Sequence, residues 1–195
     1  MIKKIAHRIL NQNDLLTLPN DWGVEFDLHS YNDKLVVVHD AFSDGIKLEK
    51  FLEFVNGRFL AVNIKEEGIE KKVLDTLKIM NYSDFFLFDV SFPQIIRLAG
   101  AYSKNIALRL SQYEKLDLEV CRKYASYLWV DTFDGTFWLD EELLIYLKKL
   151  SYKLCFVSPE LHKPPLGSKE KFLEDLQKIN SLLSNEDSIC MKFCI

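Results

Sequence analysis

The sequence has no basic stripe. Its lysines and arginines come in short pairs, such as Lys3-Lys4, Lys71-Lys72 and Lys148-Lys149, and the formal net charge is −4 with a pI near 5.6. A nucleic-acid surface needs clustered cations to neutralise phosphates, so nucleic acid is not an expected partner. No apolar run approaches the ~18 residues of a membrane span. The first ten residues, "MIKKIAHRIL", lack the unbroken apolar run and small-residue cleavage site of a secretory signal, because His7 and Arg8 interrupt them. CxxC spacing is also missing. Cys121, Cys155, Cys190 and Cys194 lie apart in apolar surroundings, which favours buried reduced thiols in a cytoplasmic protein over zinc or disulfides. No low-complexity stretch or linker divides the chain, so residues 1–195 read as one domain.

What is present is enough apolar sequence for a real core: 195 residues, 48% hydrophobic. Strand-like runs recur as "KKIAHR", "WGVEFDLH" with "LVVVHD", "RFLAVNIK", "DFFLFDV", "NIALRLS", "SYLWVDTF", "KLCFVSP" and "SICMKF". Helix-like runs lie between them at 47–56, 66–80, 93–103, 115–125, 139–150 and 169–184. In residues 66–80, Ile69, Val73, Leu77 and Met80 form one apolar stripe with charges opposite. Alternating β and α elements indicate a parallel sheet with helices outside it. Counting "LVVVHD" with the second strand gives eight β units, the number of a (β/α)8 TIM barrel. The barrel is compact and lacks the last outer helix, since the eighth strand ends almost at Ile195. Either a second copy covers that side, as a homo-oligomer, or the barrel stays partly open there.

Side chains alternate across a strand, so parity separates two faces. Val24, Phe26 and Leu28 share one face, and Gly23, Glu25 and Asp27 the other. Leu60, Val62 and Ile64 oppose Ala61, Asn63 and Lys65; Ile106, Leu108 and Leu110 oppose Ala107, Arg109 and Ser111. Leu128 and Val130 oppose Trp129 and Asp131. In each case the barrel-facing set turns polar toward the C-terminal end of the strand, where a barrel keeps its chemistry. His7, Arg8, Glu25, Asp27, His39, Asn63, Lys65, Asp89, Arg109 and Asp131 all fall at such rim positions. A ring of mutually satisfied ion pairs is the structural alternative to a reactive site.

"IAHR", "EFD", "VVVHD" and "NIK", in that order and each at a strand end, resemble the glycerophosphodiester phosphodiesterase family and the wider phospholipase-C-like phosphodiesterases. The matching residues are His7-Arg8, Glu25-x-Asp27, His39-Asp40 and Asn63-x-Lys65, and "DVSFPQ" resembles the family's Ser-Phe segment. The likeness covers roughly the first half of the chain. Three departures stand out: Ile9 replaces the usual Gly, Asn63 replaces the third acidic ligand, and "FVSPELH" replaces a Trp-Thr-Val-Asn-like motif. The insertion many members carry after His-Asp is nearly absent.

The resemblance implies metal-dependent cleavage of a small phosphodiester, by water or by a neighbouring substrate hydroxyl that yields a cyclic phosphate. Such a reaction needs a cation at the phosphate, a base and an acid. His7 and His39 are the expected acid–base pair, in either order. Arg8 and Lys65, with Arg109, suit the phosphate oxygens. Glu25 and Asp27 are two carboxylates on one strand face and, with the Asn63 carbonyl, form the expected metal set, for Mg²⁺ first and Ca²⁺ or Mn²⁺ behind it. Asp89, Trp129, Asp131 and Glu160 are the candidate substrate pocket, joined by Phe133 and by Trp138 if it is not packed on a helix. His29 reads as a supporting or loop residue, and His162 sits in a proline-rich rim loop that is either a lid or a solvated connection. The alternative is a catalytically inactive barrel that binds a phosphorylated ligand, a reading supported by Asn63. A barrel hydrolase of C–N or C–O bonds usually carries a His-x-His pair, and none is present.

Overall fold

The alternating runs become strands of a ten-stranded mixed sheet, and the amphipathic runs become helices that cover it. The computed structural model describes residues 2–162 and 166–193. Residues 163–165 of the expected rim loop, and Cys194, lie outside the described residues. The chain runs through β1 (Lys3–Ala6), α1 (Gln12–Thr17), β2 (Gly23–Tyr31), β3 (Lys34–Val37), β4 (Ile46–Lys47), α2 (Leu48–Val55), β5 (Leu60–Ile64), α3 (Glu70–Ile79), β6 (Phe85–Phe88) and α4 (Phe92–Tyr102). It continues through β7 (Ala107–Leu110), α5 (Leu118–Cys121), β8 (Tyr127–Val130), α6 (Glu141–Lys149), β9 (Lys153–Val157), α7 (Lys169–Lys178) and β10 (Ser188–Met191).

Two elements differ from the sequence expectation. The six-residue α1 buries only Leu15, too little for a helical stripe to show; it starts where Asn11 Oδ1 accepts the Asp14 N–H at 3.0 Å. The helix expected over 115–125 shrinks to the single turn of α5, started by Asp117 accepting the Val120 N–H at 3.0 Å. Among the described residues no helix follows β10, and no helix is long and apolar enough to cross a membrane.

β1 pairs in parallel with β2 on one side and β10 on the other. One arm continues from β2 to β5 to β6, and the other from β10 through β9 and β8 to β7, all parallel. Between β6 and β7 there is one isolated parallel bridge, Leu87 to Ile106, among the described residues. β3 folds back on β2 as an antiparallel hairpin, through a turn whose Asn32 and Asp33 both take positive φ (48° and 59°). That backbone matches the twist of the strands it joins, and Asn and Asp tolerate it.

The two faces follow parity. Phe26, Leu28, Val62, Leu108 and Leu128 pack with Phe51, Val73 and Leu144 of the helices in the larger core. Ile5, Ala61, Phe86, Ala107, Trp129, Cys155 and Cys190 form a second buried cluster on the other face. There Phe88 stacks on Trp129 with ring centroids 4.0 Å apart, although β6 and β8 lie on different arms of the sheet. The three described cysteines, Cys121, Cys155 and Cys190, are free and buried.

Candidate active site

The polar ends of β1, β2 and β5 meet because these strands are neighbours in register. Ala6 pairs with Val24, Glu25 with Ala61 and Asp27 with Asn63. His7 and Arg8 therefore leave β1 beside Glu25, while Asn63 and Lys65 close β5 beside Asp27. The hairpin returns the chain to the same place. The Val38 N–H donates to the Asp27 carbonyl at 3.1 Å, which sets His39 against the Asp27 side chain.

Asp27 is the hub, and its side chain is 3% exposed. Its Oδ2 accepts from His39 Nδ1 at 2.8 Å and lies 3.7 Å from Arg8 Nε. Its Oδ1 accepts from Asn63 Nδ2 at 3.0 Å and lies 3.4 Å from Lys65 Nζ. Since a carboxylate only accepts, the His39 proton sits on Nδ1 and leaves Nε2 open. His29 stands behind, its Nε2 3.4 Å from the His39 carbonyl oxygen.

Glu25 is held differently. Its Oε2 accepts the Arg8 backbone N–H at 2.7 Å and lies 3.5 Å from His7 Nε2. That N–H points inward because Arg8 takes a positive φ of 57°, a conformation few non-glycine residues adopt and one that often marks functional sites. Burial, reinforced by the adjacent Asp27 charge, pushes the Glu25 carboxyl up to about 8. Burial first, and the Arg8 charge second, bring His7 down to about 4. Glu25 Oε1 and Asn63 Oδ1 are buried with no hydrogen-bond partner. Two unsatisfied buried oxygens on one patch are an uncommon cost and are the donor type that a hard divalent cation takes. No group of three or more His, Cys, Asp or Glu side chains is arranged as a metal site among the described residues, a count that leaves Asn63 out.

The remaining expected residues form a second cluster. Arg109 bridges Asp89 and Asp131, with its Nε 3.2 Å from Asp89 Oδ1. His162 Nε2 lies 2.9 Å from Asp131 Oδ1 and its ring meets Phe133 edge-on at 5.6 Å. Trp138 Nε1 donates to the Asp131 carbonyl at 2.7 Å. Glu160 accepts from the Ser158 hydroxyl and, at 3.2 Å, from the Lys192 N–H, tying the end of β9 to the end of β10. Trp129 is 4% exposed and lies in the inner core. The contact between Asp131 and His162 is one that sequence reasoning missed. Its only signal was that both residues follow adjacent parallel strands.

No family model matches the sequence, and no curated protein matches it either. Solved structures do match. A glycerophosphodiester phosphodiesterase from Agrobacterium tumefaciens str. C58 aligns with a TM-score of 0.69 at 14% identity, over 97% of this chain and 96% of that one. A second protein of the same organism, provisionally described as a glycerophosphoryl diester phosphodiesterase, aligns with a TM-score of 0.66 at 14% identity, over 98% and 94%. Along almost its whole length, the chain has the fold of these glycerophosphodiester phosphodiesterases.

Proposed function

We propose that the chain is a phosphoric diester hydrolase that cleaves a small phosphodiester at the ends of β1, β2 and β5. The observation that carries this reading is the convergence there of two imidazoles, two cationic side chains and the Glu25, Asp27 and Asn63 oxygens. The shared fold with glycerophosphodiester phosphodiesterases supports it, as does the order of the four motifs. We read the sheet as an eight-stranded barrel with β3 and β4 as a side ribbon; the Leu87–Ile106 bridge and the Phe88–Trp129 stack support closure. The same reading takes the chain as one cytoplasmic domain, with the flank of β10 as the face where a second copy would pack.

In this reading Arg8 and Lys65 bind the non-bridging phosphate oxygens. One imidazole of His7 and His39 takes the proton from water or from a substrate hydroxyl, and the other returns one to the leaving alkoxide. Asp27 fixes the His39 ring so that Nε2 faces the substrate. A divalent cation, Mg²⁺ foremost and Ca²⁺ or Mn²⁺ next, held where Glu25, Asp27 and Asn63 converge, would neutralise the charge that develops on the phosphate. Asp89, Asp131 and Glu160, with Arg109, border the alcohol side. Because Arg109 is engaged by two carboxylates, it has less to offer a second phosphate than Arg8 has.

The test is a panel of glycerophosphodiesters, nucleotide-linked diesters and a chromogenic diester, assayed with and without Mg²⁺, Ca²⁺ and Mn²⁺. Cation-dependent cleavage is expected, reduced at least ~10²-fold in His7→Ala and in His39→Ala. Unchanged turnover in either variant removes that residue from the acid–base pair. Binding of the diesters without any turnover supports the inactive-barrel reading instead.

A further inference from the structure

β10 flanks β1 on the side away from Glu25, and a lysine follows it. The register of the two strands sets Ile5 beside Cys190 and Ala6 beside Met191, so His7 and Lys192 come next, side by side. The backbone stays extended to that point. The His7 N–H donates to the Met191 carbonyl at 3.0 Å, the Ser158 N–H to the Cys190 carbonyl at 3.0 Å, and the Lys192 N–H to Glu160 Oε1 at 3.2 Å. Parity then gives the face. Ile5 and Cys190 belong to the inner cluster, Ala6 and Met191 to the outer core, so His7 and Lys192 both fall on the inner side at the rim. The Lys192 charge is felt there: it adds to burial and to the charges of Arg8 and His39 in disfavouring a protonated His7.

The cations of the rim differ in what already holds them. Arg8 Nε and Lys65 Nζ lie 3.7 Å and 3.4 Å from Asp27, and Arg109 is bound by Asp89 and Asp131. Lys192 is exposed. Among the described residues its hydrogen bonds are those of its backbone, to Glu160 and, through its carbonyl, from Lys169 Nζ at 2.9 Å, and no carboxylate pairs with its own Nζ. Glu160, the acid beside it, uses its oxygens on the Ser158 hydroxyl and the Lys192 N–H. An ammonium without a counter-ion beside a phosphodiester site attracts a second negative group. Lys192 stands on the far side of His7 from Lys65, over an ester arm of the substrate rather than over the phosphate between Arg8 and Lys65.

We infer that Lys192 is a specificity-determining residue, and that the substrate is a phosphodiester whose alcohol on the His7 side carries a further anionic group, a carboxylate or a phosphate, that pairs with the Lys192 ammonium. The inference rests on the phosphodiesterase reading above and narrows its substrate class.

Three glycerophosphodiesters that differ only at the end of the second alcohol test this: those of glycolate, of phosphorylated ethylene glycol and of ethylene glycol itself. With cleavage followed by phosphorus NMR, the wild type is expected to prefer an anionic ester over the neutral one about fivefold in kcat/KM, mainly through KM, the scale of one exposed ion pair. The preference should shrink as ionic strength rises, and the anion that gains more tells carboxylate from phosphate. Lys192→Gln should bring the ratio of anionic to neutral ester to about one, and Lys192→Arg should keep the preference. A wild type that prefers neither anion, or a preference that survives in Lys192→Gln, overturns the inference and leaves the phosphodiesterase reading standing. A wild type that cleaves none of the three overturns that reading instead, and calorimetric binding of the same esters then decides on Lys192. Tighter binding of an anionic ester that is lost in Lys192→Gln supports its role, and equal binding of all three overturns it.

Discussion

His7 and Glu25 sit in one buried corner, yet they tie stability to pH in opposite directions. His7 is lowered from 6.5 to about 4, so the unfolded chain takes up its proton first and stability falls as pH drops through that window. Glu25 is raised from 4.5 to about 8, so the folded chain holds the extra proton and stability falls as pH rises through its window. Between 4.5 and 6.5 the two slopes oppose each other. Above 6.5 only Glu25 acts, and a loss on the order of 1 kcal/mol per pH unit is expected up to about 8. Chemical denaturation at stepped pH measures it, and Glu25→Gln should flatten the slope. A slope that survives in Glu25→Gln assigns the titration to another group.

At the scale of elements, the β6–β7 boundary is where the sheet has least backbone pairing, with one bridge among the described residues. Arg109 sits on β7 and reaches Asp89 just past β6 and Asp131 just past β8. Its guanidinium thus fastens the boundary by side chains where the ladder is thin. Asp131 is 3% exposed, so removing its partner leaves a buried carboxylate whose Oδ2 has lost its cation, with only the Thr132 N–H and His162 on Oδ1. Arg109→Ala is expected to cost about 3 kcal/mol in denaturant unfolding, since breaking a buried pair strands the remaining charge. The amides around Ile106 should exchange faster in that variant. A variant as stable as the wild type would leave Arg109 free to serve the substrate instead.

For the molecule as a whole, the inner cluster links the two arms of the sheet. Phe88 against Trp129, and Phe86 against Tyr127 at 4.8 Å, join strands that are not paired with each other. Trp129 therefore fills the space between the two arms. Trp129→Ala is expected to cost roughly 3–5 kcal/mol, the range for emptying a large buried aromatic site, with the loss read as a lower denaturant midpoint. If Trp129 instead serves chiefly to bind substrate, stability would change little and only the KM for the diester would rise.

The sequence by itself determined which residues face which way. A period of two is set by strand geometry, so Glu25, Asp27, Asn63, Arg109 and Asp131 could be assigned to the polar face before any contact was known. The longer helices were legible for the same reason, through their apolar stripes. The short α1 and the single turn of α5 were not, because each is held by one cap and a few contacts rather than by a repeat. Tertiary structure decided who partners whom. The same carboxylate type accepts from two side chains at Asp27, with two cations just beyond, is a half-used acid at Glu25 and is one end of an arginine bridge at Asp89, since each depends on which strand lies alongside and which donors the neighbouring loops bring within about 3 Å. Those distances are set by strand register and by the hairpin that returns His39, and no local feature of the sequence encodes them.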